Sequence, residues 1–146
     1  MEYGGSDMKK RFLFPVIFLL GFLFLLTGCK GNELPEGMSQ TQLLTQGRDV
    51  VTALNQAQWQ QVYDQLREDA QQTTSPEDIE TYVSSVFEKA GAYKQEEDIL
   101  LTGQKLDSGE KYATAVFYCQ HEKDDVMYRI AFSTDMELIG LQVQKK

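Results

Sequence analysis

The chain has 146 residues, and its 22 acidic side chains outnumber its 14 basic ones, giving a formal net charge of −8 at pH 7. This balance argues against nucleic-acid binding, which requires a basic surface, and against adsorption on anionic lipid headgroups. Once the apolar N-terminal stretch is set aside, the remaining length predicts one domain.

The first 28 residues predict a signal peptide. The basic cluster Lys9-Lys10-Arg11 precedes an uncharged apolar run from Phe12 to Leu26, which is the order of a secretory signal. The run has 15 residues, so as a helix it spans roughly 22 Å, short of the ~30 Å hydrocarbon core of a bilayer. An uncleaved transmembrane anchor is therefore the weaker alternative.

Leu26-Thr27-Gly28-Cys29, at the end of the apolar run, resembles the bacterial lipobox. The resemblance implies that signal cleavage falls between Gly28 and Cys29 and that the Cys29 thiol receives a diacylglyceryl group. It also implies a protein secreted across the cytoplasmic membrane of a bacterium, with a Gram-positive host favoured, and anchored to the outer face of that membrane. Residues 29–40 contain glycine, proline and serine with few apolar residues, and we predict a flexible tether there.

Residues 41–146 predict an α+β domain that begins with three helices. From Thr41, and again from Trp59, apolar residues recur at three- and four-residue steps, as on one face of a helix. Ser75-Pro76 predicts the start of a third helix through a hydroxyl cap and a proline in the first turn. Gly91 is placed to end that helix in a left-handed conformation. We expect a loop at residues 68–74.

After Gly91 the apolar period changes from helical to two, which predicts four strands. The short polar breaks between them favour hairpins, so the sheet is expected to be an antiparallel meander. Both faces of the second strand are fairly apolar, which suits helices on one face and a pocket or partner on the other. The predicted strands are Tyr93–Leu106, Lys111–His121, Val126–Ser133 and Glu137–Gln144.

Several segments carry a wider likeness: Val51-Thr52-Ala53-Leu54-Asn55, Trp59, Tyr63, Phe87 to Tyr93, Tyr112 to Tyr118 and Ile130 to Phe132. In this arrangement the chain resembles the nuclear transport factor 2-like, or cystatin-like, α+β fold. The closer likeness is to a clostridial-type domain of unknown function in that superfamily, found in secreted lipoproteins and sometimes fused to hydrolases. The resemblance implies helices packed on a curved sheet that forms a cone. Enzymatic members place acid–base residues in the cone, and no such set is matched here.

The titratable side chains offer three candidates for a chemical role. His121, the only histidine, lies beside Glu122, and we expect an exposed strand-end residue, with a catalytic base as the alternative. Cys119 loses its only possible intramolecular partner once Cys29 is lipidated, so we predict a buried core residue, with a reactive or intermolecular thiol as the alternative. The acidic groups could bind calcium, but solvated turn charges are favoured; they are Glu96, Glu97, Asp98, Glu122, Asp124 and Asp125.

Seven aromatic residues could line an apolar cleft with polar tips, which is the composition of a small-ligand site: Trp59, Tyr63, Tyr82, Phe87, Tyr112, Tyr118 and Tyr128. Ordinary core and sheet positions are the alternative. We expect a non-catalytic, lipid-anchored extracytoplasmic module that binds an unknown protein or small molecule, without metal, cofactor or nucleic acid. Two alternatives stay open: an enzyme with its site in the cone, and an assembly subunit that forms a homodimer through the sheet.

Overall fold

The computed structural model describes residues 33–146. Four helices precede four strands: α1 Gln40–Asn55, α2 Trp59–Gln65, α3 Glu68–Gln71, α4 Pro76–Ala90, β1 Tyr93–Lys105, β2 Lys111–His121, β3 Asp125–Ser133 and β4 Leu138–Lys145. Among these residues, none of the helices combines the length and the apolar character needed to cross a bilayer. The predicted signal peptide, its cleavage site after Gly28 and the lipidation site Cys29 lie outside the described residues.

Local capping explains where the longest helices begin and end. The Ser75 hydroxyl accepts a hydrogen bond from the Asp78 amide at 3.1 Å, and Pro76 occupies the first turn of α4, as predicted. The Ser39 hydroxyl caps α1 in the same way, accepting from the Gln42 amide at 3.2 Å. Gly91 ends α4 with a φ of 85° and a ψ of −172°. This lies outside the left-handed helical region that was expected, in a region that only glycine adopts readily.

The prediction of three helices is wrong, because part of the expected loop after α2 is helical. Residues Glu68–Gln71 form the single turn of α3. Two hydrogen bonds fasten this turn to α2, one from the Tyr63 hydroxyl to the Gln71 carbonyl at 3.3 Å and one from the Gln71 side-chain amide to the Tyr63 carbonyl at 2.9 Å. A four-residue helix has too few apolar positions to show a helical period, so the sequence pattern could not reveal it.

The strands form one open antiparallel sheet in the order β1-β2-β3-β4, which confirms the predicted meander. The β1–β2 register pairs Lys105 with Lys111 beside the turn and Tyr93 with His121 at the opposite end. We call the first the hairpin end of the sheet and the second the far end. Strand β1 carries two register shifts close to the far end, between Tyr93 and Gln95 and between Glu96 and Asp98.

The core lies between the helices and one face of the sheet, which we call the inner face. Buried apolar residues of α1, α2 and α4 pack there against alternate residues of β2 and β3, as expected for a sheet covered on one side. The main contributors are Leu43, Val50, Leu54, Val62, Val83, Ala113, Ala115, Phe117, Cys119, Tyr128, Ile130 and Phe132. A second, smaller cluster on the outer face joins Tyr112 and Ala131 to Leu106 and Ile139.

Candidate functional site

The seven aromatic residues predicted to line a pocket are distributed over both faces of the sheet. Tyr112 and Tyr118 share the outer face, because the alternate β2 residues Phe117 and Cys119 belong to the inner core. Trp59, Tyr63, Tyr82 and Phe87 pack at the margin of that core, whereas Tyr128 is fully buried in it. The structure brings together Phe87 and Tyr128, whose ring centroids are 6.3 Å apart.

A chain of buried and partly buried hydrogen bonds at the far end joins α1, the end of α4 and the sheet through His121. The Nδ1 atom of His121 lies 2.8 Å from the Gly91 carbonyl oxygen, and the Nε2 atom lies 2.7 Å from the Tyr128 hydroxyl. A carbonyl oxygen can only accept, so Nδ1 carries a proton; in the neutral ring Nε2 then accepts from the Tyr128 hydroxyl. The Asn55 amide in turn donates to the Tyr128 oxygen at 3.0 Å and to the Val51 carbonyl at 2.9 Å.

The expectation that His121 is exposed is wrong, since only 3% of the residue is accessible to solvent. Its ring packs against the ring of Phe87, with centroids 5.3 Å apart, and against the ring of Tyr93, with centroids 5.6 Å apart in an edge-on arrangement. Both ring nitrogens already have partners within the protein. A proton could pass to or from a substrate at His121 only after one of these hydrogen bonds is broken.

The β2–β3 turn caps the C-terminus of α4 beside this chain. The Lys123 amide donates to the Ala90 carbonyl at 2.7 Å, and the Glu122 carboxylate accepts from the Ala92 amide at 3.0 Å. A Cβ atom at Gly91 would lie 2.7 Å from the Cβ of Glu122, which together with its positive φ requires glycine. The end of the helix and the turn of the sheet are therefore one interlocked unit.

Cys119 lies in the inner core next to this unit, as predicted, with 1% of the residue exposed. Burial raises the pKa of the Cys119 thiol to about 11, against the opposing effect of its hydrogen bond with Tyr93. Burial also raises the pKa of Tyr128. Because a thiol must lose its proton to act as a nucleophile, Cys119 is unreactive near neutral pH.

The acidic residues at the far end make contacts within the protein. Glu96 forms a two-point ion pair with Arg48, at 3.0 and 2.9 Å, and Asp124 pairs with Lys145 at 3.0 Å. The Arg48–Glu96 pair ties α1 to the irregular start of β1. No group of three or more His, Cys, Asp or Glu residues within residues 33–146 is arranged to hold a metal ion.

Residues 33–38, which we call the docked segment, cross the inner face of β1 at the hairpin end. A Cβ atom at Gly103 would lie 1.9 Å from the Glu33 carbonyl oxygen, so only glycine permits this approach. Leu34 and Met38 pack against the main core, and the Met38 amide donates to the Pro35 carbonyl at 3.1 Å. The described part of the predicted tether is therefore packed on the domain.

A surface cleft of about 520 Å³ borders the docked segment. One wall is formed by residues 33–36, and the other by residues 103–105 of β1 with Lys111 of β2. Both walls carry charged side chains, with Glu33 and Glu36 on one side and Lys105 and Lys111 on the other. Charges of both signs give the cleft no single preference for a cation or an anion.

Sequence reasoning did not identify Asn55, Gly103 or Leu34 as residues that hold these sites together. The signal for Gly103 was available, because a glycine inside a strand often marks the close approach of another backbone segment. Leu34 and Met38 stand four residues apart, a spacing too short to establish a period. Nothing local pointed to the contact of Asn55 with Tyr128, which are 73 residues apart in the chain.

Comparison with known proteins gives a family and a fold. A family model described as "Protein of unknown function (DUF3887)" matches residues 48–141. No curated protein matches the chain. Among solved structures, the chain is similar to the NMR structure of a protein from Ruminococcus gnavus ATCC 29149, with a TM-score of 0.66 and 23% sequence identity over 77% of this chain and 96% of the other. At this identity the likeness concerns the fold alone.

Proposed function

Because the chain belongs to the DUF3887 family of proteins of unknown function, we propose a role argued from its own residues, that of a lipid-anchored extracytoplasmic binding or interaction module. In this proposal residues 1–28 are removed and Cys29 carries a diacylglyceryl group. The lipobox-like Leu26-Thr27-Gly28-Cys29 behind a basic cluster and an apolar run supports the anchor. The domain then faces outward from the cytoplasmic membrane of a Gram-positive bacterium.

The observation that carries the non-catalytic part of the proposal is the filling of the inner face. The Phe117 ring packs so closely on α1 that a Cβ atom at Gly47 would lie 2.6 Å from it. The two side chains nearby that are best suited to catalysis are not free to act on a ligand. Both ring nitrogens of His121 are hydrogen-bonded within the protein, and Cys119 is buried. Binding to a partner therefore uses the outer surface rather than a cone.

We also propose that the fold belongs to the nuclear transport factor 2-like group. The helices of residues 33–146 cover one face of a four-stranded antiparallel meander, which supports this assignment. The close packing of Phe117 on α1 supports the non-catalytic role, because an enzyme of the same architecture would need an open cone lined by polar side chains. Fold likeness alone does not decide between the two roles.

Metabolic labelling with palmitate tests the anchor. Cells that produce the full chain are expected to incorporate the label and to retain the protein in the membrane fraction, and Cys29→Ser is expected to abolish both. Cys119→Ala is the matched control, because it removes the other thiol and is expected to leave labelling unchanged. Label that persists in Cys29→Ser would refute lipidation at this residue.

Fragment screening by NMR tests the filled inner face. Small apolar molecules are expected to leave the resonances of Gly47 and Phe117 unchanged, because the space between α1 and β2 is occupied by the Phe117 ring. Saturable shifts confined to these residues and to His121 would instead reveal an open cone. That result would favour an enzyme or a small-molecule carrier over an interaction module.

One observation favours a second candidate, a subunit that forms homodimers through the sheet. Leu100 of β1 is 52% exposed, and β1 is an edge strand. An exposed apolar residue on a strand edge is a site where two copies can pair. Sedimentation velocity over a wide concentration range tests this candidate, and Leu100→Lys is expected to abolish any dimer that forms there.

A further inference from the structure

The docked segment limits how far the domain can lie from its lipid. Glu33 is held on β1 at Gly103, and Leu34 is packed against the core. Only residues 30–32 separate Glu33 from Cys29 in the sequence. Four residue steps extend at most about 14 Å, whereas a tether reaching from Cys29 to the start of α1 would extend at most about 40 Å.

The two ends of the sheet differ in their distance from this attachment point. Gly103 pairs with Ala113 near the hairpin end, and Tyr93 pairs with His121 at the far end. Ten residues of strand separate Gly103 from Tyr93, which corresponds to roughly 30 Å. Averaged over all orientations that the short connection permits, the far end therefore stands further from the anchor than the hairpin end does.

We propose that the docked segment holds the hairpin end of the domain against the lipid surface and directs the far end outward. This inference rests on the proposed lipidation of Cys29. The hairpin end lies against the membrane. Lys105 and Lys111 have the acidic neighbours Glu33 and Glu36, so electrostatic attraction to lipid headgroups is not the cause. The short covalent connection to the lipid holds this end there instead. The unit formed by His121, the end of α4 and the β2–β3 turn is then the part that meets partners away from the membrane.

Energy transfer to labelled lipid headgroups measures the two distances. A donor dye is attached to Lys111→Cys near the hairpin end or to Lys123→Cys at the far end, both at exposed lysines. The native Cys119 is buried and does not compete for the dye. The lipidated full-length product is reconstituted in vesicles of phosphatidylcholine and phosphatidylglycerol that contain an acceptor-labelled lipid. For ends separated by about 30 Å, we expect transfer efficiency roughly twofold higher from position 111.

Two variants release the docked segment by different means. Gly103→Val places a side chain where the Glu33 carbonyl now lies, and Leu34→Ser removes an apolar contact without changing β1. Each is expected to reduce the difference between the two dye positions, because the connection to the lipid becomes longer. Thr102→Val is the matched control on β1 and is expected to preserve the difference. Circular dichroism identifies any variant that fails to fold, and Leu34→Ser then carries the test.

The outcomes separate this inference from the proposed function. Protein that incorporates no palmitate would refute the proposed lipidation, and the inference with it. Lipidated protein that shows equal transfer from positions 111 and 123 would refute the inference alone. A difference that survives both Gly103→Val and Leu34→Ser in folded protein would also refute it, since the docked segment would then not determine the orientation.

Discussion

Two tyrosines of the sheet are fully buried, but their hydroxyl groups have opposite surroundings. The Tyr128 hydroxyl contacts His121 Nε2 at 2.7 Å and the Asn55 amide at 3.0 Å. The Tyr112 hydroxyl is also buried, and it has no hydrogen-bond partner within residues 33–146. A buried polar group without a partner is destabilising, whereas removing one member of a bonded pair leaves the other member unsatisfied. Replacing the tyrosine with phenylalanine should therefore be destabilising at position 128 and neutral or slightly stabilising at position 112.

We predict that Tyr128→Phe lowers the free energy of unfolding by about 1–3 kcal/mol, because it leaves His121 and Asn55 without their shared partner. Tyr112→Phe is the matched control and is expected to be neutral or slightly stabilising. Urea unfolding of both variants near neutral pH provides the measurement. Equal losses in the two variants would show that the hydroxyl contacts of Tyr128 contribute nothing beyond packing.

For single residues, the sequence predicted burial correctly only where the residue type alone implies it. Cys119 was expected in the core because a lone thiol is usually buried, and it lies there. His121 was expected on the surface because histidine at a strand end is commonly exposed, yet it is buried. Its partners are Gly91, 30 residues away, and Tyr128 on the next strand. Such contacts depend on tertiary packing, which no local pattern of residues encodes.

For helices and strands, the sequence predictions were correct where the structure depends on interactions between residues that are close in the sequence. The cap at Ser75 and the change of period after Gly91 predicted α4 and the meander, because capping and alternation act between near neighbours. The packing of the docked segment was not predicted, because it depends on a residue that is distant in the sequence. The glycine and proline of the segment are typical of a linker, but the segment packs on the domain where Gly103, about 70 residues later in the sequence, leaves room for its backbone.

The contact between α1 and β2 gives a prediction at this scale. Alanine at position 47 would favour the helix by about 1 kcal/mol over glycine, but its Cβ would stand 2.6 Å from the buried Phe117 ring. Overpacking of this kind costs about 1–3 kcal/mol. We therefore expect Gly47→Ala to lower the free energy of unfolding by about 1 kcal/mol, measured by thermal or urea unfolding.

A double-mutant cycle separates the two contributions. In a Phe117→Leu background the ring that opposes the new methyl group is absent, so Gly47→Ala should become stabilising through helix propensity alone. The sign of the effect is thus expected to reverse between the two backgrounds. If Gly47→Ala were destabilising by the same amount in both, the close packing of α1 on Phe117 would not be the cause.

For the whole molecule, an open sheet leaves two edge strands that could pair with another copy. On β4, the Tyr82 hydroxyl donates to the Val143 carbonyl and accepts from the Val143 amide, both at 2.9 Å. The Arg67 amide donates to the Leu138 carbonyl at 2.9 Å. The Tyr82 side chain and the Arg67 backbone thus occupy hydrogen-bonding groups of β4 that a neighbouring strand would otherwise use. The β1 edge is interrupted instead by two register shifts, between Tyr93 and Gln95 and between Glu96 and Asp98.

This arrangement predicts that Tyr82 keeps β4 from pairing with a second copy. Tyr82→Phe removes the hydroxyl from both backbone groups of Val143, so we expect association that increases with protein concentration, together with a loss of about 1–2 kcal/mol in stability. Tyr63→Phe is the matched control, because its hydroxyl contacts the Gln71 carbonyl away from the sheet; it should lose stability without associating. Sedimentation velocity distinguishes the two. A Tyr82→Phe variant that stays monomeric wherever Tyr63→Phe does would show that this hydroxyl does not keep β4 from pairing. The other contact on that edge, the hydrogen bond from the Arg67 amide to the Leu138 carbonyl, would then be the next one to test.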